Sequence, residues 1–144
     1  MARILVAGPP LAGKSSLVRE RAQPGELIFD YDTMYAALSG LDLYVRAGPI
    51  KSYVMEARNA VFALAAKQAG DSLWAITATS KVAELMRLQR LLRAQLLWLQ
   101  VDEDEAHRRC TADGRPEEWH GYIGDWYRET DIVVTRRADA GGNP

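Results

Sequence analysis

Gly8-Pro9-Pro10-Leu11-Ala12-Gly13-Lys14-Ser15 is the stretch whose residue types and spacing carry recognisable chemistry. Its glycines let the backbone curl so that successive N–H groups face inward and cradle anionic oxygens. The apolar run Ile4–Ala7 before it predicts a strand, and the residues from Ser16 to Glu20 open a helix. A helix that starts there adds unpaired N–H donors and the positive end of its dipole. Gly, four residues, then Gly-Lys-Ser between a strand and a helix has the form and context of a P-loop. In that setting Lys14 reaches the β- and γ-phosphates of a nucleotide, and the Ser15 hydroxyl ligates magnesium. Gly8, Pro9, Pro10, Leu11, Ala12, Gly13, Lys14, Ser15 and Ser16 are thus the expected nucleotide-binding residues, with ATP and Mg2+ as the expected cofactors.

A second cluster is Asp30-Tyr31-Asp32, placed by the sequence at the end of another apolar run. Phosphoryl transfer needs positioned phosphates, charge neutralisation and a group that takes the acceptor's proton. Asp32 is the candidate general base and Asp30 a candidate ligand for substrate or metal-bound water. Asp32 also precedes Thr33-Met34-Tyr35, where it can serve as a helix N-cap. Further along, His107-Arg108-Arg109-Cys110 and Asp113-Gly114-Arg115-Pro116 flank a glycine break between two helical stretches, the layout of a mobile lid over about 103–129. Arg109 and Arg115 are the candidates for stabilising charge on the transferring phosphoryl group. Arg46 and Arg58 form, with Lys51, a candidate basic patch on the acceptor side.

Other features have plainer readings. Leu96–Val101 followed by Asp102 has the look of an apolar strand ending in a metal-binding acid, but Asp102 and Glu105 are spaced as a capping box. Trp119, Tyr122, Ile123, Trp126 and Tyr127 recur at helical spacing, as a helix docked on a core requires. Trp74 and Trp98 fall within expected strands and are read as core. His107 and His120 show no spacing suggestive of a metal site or a triad and are read as bystanders.

The elements that must position these groups follow from periodicity. Strands are expected at 3–7, 26–30, 72–77, 95–101 and 131–135. Helices are expected at 14–22, 32–39, 50–69, 82–93, 103–112 and 117–129, with 41–49 as a loop. Strands alternating with helices predict an α/β fold, a parallel sheet covered on both faces. In such sheets ligands sit outside the carboxyl ends of the strands. Asp30, Asp32, Thr77, Thr79, Asp102, Arg136 and Arg137 all stand there. The 144 residues suit one domain over 1–137 with a flexible tail at 138–144. A net charge of −1 provides no global field for nucleic acid. Cys110 is the single cysteine, which suits a reducing compartment. No membrane span or signal peptide is read, so a cytoplasmic location is expected.

Taken together, the loop at 8–15 followed by Leu17, Ile28-Phe29-Asp30-Tyr31-Asp32-Thr33 and the late arginines resemble the small P-loop kinases. These stretches look like the kinase domain of phage polynucleotide kinases. They are also similar to the zeta-toxin and chloramphenicol phosphotransferase branches, and the whole chain to small phage-encoded proteins labelled AAA-family ATPases or nucleoside kinases. The resemblance implies a three-layer α/β/α P-loop NTPase fold with a five-stranded parallel sheet in the order 2-3-1-4-5. It also implies Asp32 as the base and lid arginines on the transferring phosphate. Polynucleotide kinases place two lid arginines four apart. Here Arg109 fills the first position and Asp113 the second, with Arg115 two residues on.

The expected activity is transfer of the ATP γ-phosphoryl group to a nucleoside, nucleotide or other small hydroxyl acceptor. Nucleic acid is a less favoured acceptor. The alternatives are a P-loop ATPase switch acting with a protein or nucleic-acid partner, and a nucleotide-binding module without catalysis.

Overall fold

The computed structural model describes residues 2–68 and 70–134. Chain order is β1 (Arg3–Ala7), α1 (Lys14–Arg21), β2 (Leu27–Phe29), α2 (Tyr31–Ser39), a 3-10 turn (Gly48–Ile50) and α3 (Lys51–Lys67). Then follow β3 (Leu73–Thr77), α4 (Val82–Leu92), β4 (Gln95–Trp98), α5 (Glu103–Ala112) and α6 (Glu118–Glu129). The strands form one parallel sheet in the order β2-β3-β1-β4. Its registers pair Ala7 with Thr77 and with Trp98, and Phe29 with Ala75. The carboxyl ends therefore finish together, and the segments Gly8, Asp30, Ala78 and Leu99 leave the sheet on one side.

Alternation along the strands builds two apolar layers. Leu5, Ala7, Phe29, Leu73 and Ala75 share a cluster with Phe62 and Ala65 of α3 and Leu85, Leu88 and Leu92 of α4. Val6 and Trp74, from the opposite parity, pack with Val18 of α1. Burial on both faces explains why β1 and β3 read as continuous apolar runs. A third cluster lies off the sheet, where Leu11 and Val101 meet Ala106 and Cys110 of α5 and Trp119 and Ile123 of α6. It joins the loop after β1 to the α5–α6 hairpin.

Two expectations are corrected. The fifth strand does not form over 131–134. Asp131 Oδ1 instead accepts from the Val82 backbone N–H at 2.7 Å, its own N–H donates to the Ser80 carbonyl, and Thr130 Oγ1 donates to the same oxygen. The segment is thus committed to the first turn of α4, and Val133 is 85% exposed. The sheet among the described residues has four strands in the order 2-3-1-4 in place of five. Thr135, Arg136, Arg137 and the expected tail at 138–144 lie outside the described residues. The capping box also fails: Asp102 makes no side-chain cap, and Glu105 instead pairs with Arg108 and Arg109.

No helix among the described residues is long and apolar enough to cross a membrane. Because Asp131 satisfies an otherwise orphaned N–H of α4, Asp131→Ala should lower stability by about 1 kcal/mol. Urea denaturation followed by tryptophan fluorescence measures this; an unchanged midpoint would remove the cap from the account.

Candidate active site

The loop between β1 and α1 closes tightly for identifiable reasons. A Cβ on Gly8 would sit 2.2 Å from the Leu99 carbonyl oxygen, so only glycine fits where the loop passes the end of β4. Gly13 caps α1 at φ 94°, in the left-handed region that glycine enters without steric cost. Leu11 is also left-handed, at φ 66°. Such a conformation costs a side-chain-bearing residue about 1–2 kcal/mol. Burying a leucine contributes about 1.5–3 kcal/mol, enough to offset it. Leu11 is buried in the third cluster, so the α5–α6 hairpin holds the loop in this shape.

Lys14 is the buried charged side chain at the centre of this loop. Its Nζ donates to the Gly8 carbonyl at 3.0 Å and the Pro9 carbonyl at 2.6 Å. Burial lowers its pKa to about 7, with the Arg115 charge acting in the same direction and Asp32 and Asp30 opposing. The ammonium is thus held by neutral carbonyls, out of water, with Arg115 and Arg46 offsetting part of what Asp32 and Asp30 contribute. A polyanion in the loop would favour its charged form.

The acids form two linked pairs. Asp30 Oδ2 accepts from Ser15 Oγ at 2.8 Å, and Oδ1 accepts from the Asp32 N–H at 3.1 Å. Asp30, and not Asp32, is therefore the N-cap of α2. Asp32 receives two bonds from Arg46, Nε to Oδ1 at 2.8 Å and Nη2 to Oδ2 at 3.3 Å. This fork fixes the carboxylate plane and still leaves each oxygen a free lone-pair site.

Arg46 and Arg115 meet at one aromatic side chain. Arg46 Cζ lies 4.4 Å from the Trp119 ring centroid and Arg115 Cζ lies 4.5 Å from it. Arg115 also sits 3.7 Å from the Tyr44 centroid and bonds Asp113. Trp119 Nε1 donates to the Tyr44 carbonyl, locking the indole between the hairpin and the 41–49 loop. Such contacts orient planar guanidiniums without neutralising them.

These groups open on one cavity of about 550 Å³. Its lining includes Pro10 to Ser16, Asp30, Asp32, Arg46, Arg58 and Arg115, so the structure brings most of the expected residues together. Gly8 and Pro9 lie behind it as the carbonyl ligands of Lys14. Arg109 is not in the lining: its Nη1 donates to the Leu11 carbonyl at 2.9 Å, which places it on the outside of the loop. Lys51 is exposed and away from the cavity, so the expected basic patch divides. Asp102 is likewise exposed and outside it. Trp119, Tyr122 and Trp126 serve as core and cavity wall at once. His107 and His120, read as bystanders, stack with Nδ1 atoms 2.7 Å apart and connect α5 to α6. Their separation of 13 residues on two helices left no periodic signal.

No protein-family model matches the sequence, and no curated protein sequence matches it. Solved structures do match in backbone shape. A gluconokinase from Sinorhizobium meliloti 1021 aligns at a TM-score of 0.58 and 15% identity, covering 91% of this chain and 75% of that one. A shikimate kinase from Acinetobacter baumannii, in complex with shikimate, aligns at 0.57 and 17%, covering 96% and 86%. The chain shares its fold with these two structures. At these identities the likeness is one of fold alone.

Among the described residues no cluster of three or more His, Cys, Asp and Glu could hold a metal by itself. Ser15 Oγ and Asp30 Oδ2 are nevertheless adjacent hard oxygen donors. That set fits an ion such as Mg2+, which keeps several waters and takes few protein ligands.

Lys14 provides a test that needs no turnover. At about pH 8, above its depressed pKa, it is mostly neutral in the free protein, and a bound polyphosphate raises that pKa. ATP binding should therefore take up a proton near pH 8, with uptake vanishing toward about pH 5, where Lys14 is already charged. ATP itself sheds protons onto water when it binds cations, so uptake must come from the protein. Calorimetry in two buffers of different ionisation enthalpy reads the sign; proton release at pH 8 would contradict the role given to Lys14.

Proposed function

We propose that this protein transfers the γ-phosphoryl group of ATP to a hydroxyl of a small acceptor. The observation that carries this reading is the shared cavity. The loop with Lys14, the Asp30 and Asp32 carboxylates and Arg115 all face one space, whose size is ordinary for a small-molecule site. The fold it shares with a gluconokinase and a shikimate kinase supports the same reading by analogy.

In this reading the loop N–H groups and Lys14 hold the ATP phosphates. Ser15 and Asp30 would hold Mg2+, which supplies charge neutralisation between the phosphates when bound. Asp32 accepts the acceptor's hydroxyl proton, the acceptor oxygen bonds to the γ-phosphorus, and the bond to the β-phosphate oxygen breaks to release ADP. The bond from Arg46 holds Asp32 in one orientation toward the acceptor. Arg115, fixed on Tyr44 and Trp119, stabilises charge on the transferring group. Arg109 acts one step removed, through the Leu11 carbonyl, by keeping the loop in its phosphate-ready shape. The strand β3 ends at Thr77 with no acid, which leaves a motor or switch ATPase without its usual carboxylate.

Labelled ATP offered with a panel of small hydroxyl acceptors tests the reading: one acceptor should raise turnover far above slow hydrolysis, and a flat panel would refute transfer. Asp32→Asn should lower kcat by about 10²–10⁴-fold while nucleotide affinity changes little. Arg115→Ala should lower kcat, whereas Arg109→Ala should chiefly raise KM for ATP. Equal kcat losses in both arginine variants would return Arg109 to the reacting centre.

A further inference from the structure

Arg58 stands on α3, in the part of the cavity wall that α3 and α4 build. Its Nε is buried and, among the described residues, is the buried side-chain nitrogen or oxygen without a hydrogen-bond partner. Its remaining polar contact is long, from Nη2 to the neighbouring Asn59 side chain at 3.3 Å, and its Cζ lies 5.8 Å from the Phe62 centroid. Glu84 is close enough to feel its charge, but both Glu84 oxygens are held by Arg87, at 2.9 and 2.8 Å.

The other charged side chains of the wall have hydrogen-bonding partners or lie at its rim, Lys14 on the Gly8 and Pro9 carbonyls and Asp30 on Ser15 and the Asp32 N–H. Arg46 is paired with Asp32, Arg115 with Asp113 and Asp125 with Arg128. Arg19 and Glu129 are exposed at the rim, where water solvates them. The same cavity wall also carries hydroxyl donors, Thr77 and Thr79. Thr77 Oγ1 accepts from the Thr79 N–H and Thr79 Oγ1 from the Lys81 N–H, which leaves both hydroxyl protons free to donate into the cavity. A partly buried guanidinium without a salt bridge, in a wall that also carries two unspent hydroxyl donors, is a costly arrangement for an empty wall and a good one for an anion.

We propose that Arg58 is the recognition residue for an anionic group on the phosphoryl acceptor, a carboxylate or a phosphate monoester. The acceptor class is then a hydroxy acid or a sugar or nucleoside monophosphate, and neutral polyols and free nucleosides are disfavoured. This rests on the phosphoryl-transfer reading for the hydroxyl end of the acceptor, but the anion subsite itself is a matter of binding.

The test therefore uses two readouts on the full chain, equilibrium binding by calorimetry and ATP turnover. The probes are matched pairs: an aldonic acid against the alditol of equal length, and a nucleoside 5′-monophosphate against its nucleoside. The first pair reports carboxylate and the second phosphate. In at least one pair the anionic member should bind about tenfold or more tighter than the neutral one. Arg58→Gln should collapse that gap, and Arg58→Lys should keep part of it. Equal binding within both pairs, failure of every anionic probe to bind at millimolar concentration, or a gap that survives in Arg58→Gln would overturn the proposal. The wild-type pairs decide the first two outcomes even if Arg58→Gln does not fold. A binding gap without turnover would leave the anion subsite standing and refute phosphoryl transfer; turnover with neutral acceptors and no gap would do the reverse.

Discussion

A buried ammonium organises this molecule. Lys14 lies at the carboxyl end of a parallel sheet, on two loop carbonyls, with its pKa drawn down to about 7 by burial. Removing an ammonium from water is expensive unless its donors are met and its charge is answered. The Gly8 and Pro9 carbonyls meet two donors, and the Asp30 and Asp32 carboxylates answer part of the charge. Those acids are in turn held by Ser15 and Arg46. A network that leaves its cation half-discharged is poised for a ligand that carries negative charge.

The loop geometry that buries Lys14 is not self-sufficient. Leu11 takes a left-handed conformation, and the compensation comes from α5 and α6, which cover its side chain and, through Arg109, hold its carbonyl. The same hairpin delivers Arg115 and Trp119 to the cavity. Loop shape and the placement of Arg115 are therefore consequences of one packing arrangement. The His107–His120 contact and the Trp119 bond to Tyr44 brace that hairpin from within and from the 41–49 loop.

Much of the fold was legible because local rules and tertiary needs agree. The first four strands and all six helices appear within a few residues of their expected bounds, since continuous apolar runs and helical stripes report burial directly. The fifth strand was misread for a physical reason: Asp131–Val134 has strand composition, but Asp131 is captured by the open N-terminus of α4. Asp102 and Glu105 have the spacing of a capping box and do not form one, because Glu105 finds arginines one turn on along its own helix.

The site divides along the same line. Gly8, Gly13, Lys14 and Ser15 were legible from spacing alone, because a loop of this kind is made from consecutive backbone groups and needs only a strand before it and a helix after it. Asp30 and Asp32 were marked by their place after a strand. What each does was decided only by folding: Asp30 took the cap and Ser15, while Asp32 took Arg46 from fourteen residues away. As sequence, Arg46 and Arg58 read alike as an acceptor-side patch, and Arg109 and Arg115 read alike as lid arginines. Tertiary packing gave them an acid, an unpartnered place on the cavity wall, a loop carbonyl and an aromatic pair. A backbone cradle is local and can be read from a string of residues, whereas the partner of a charged side chain is set by which distant segments the core brings together.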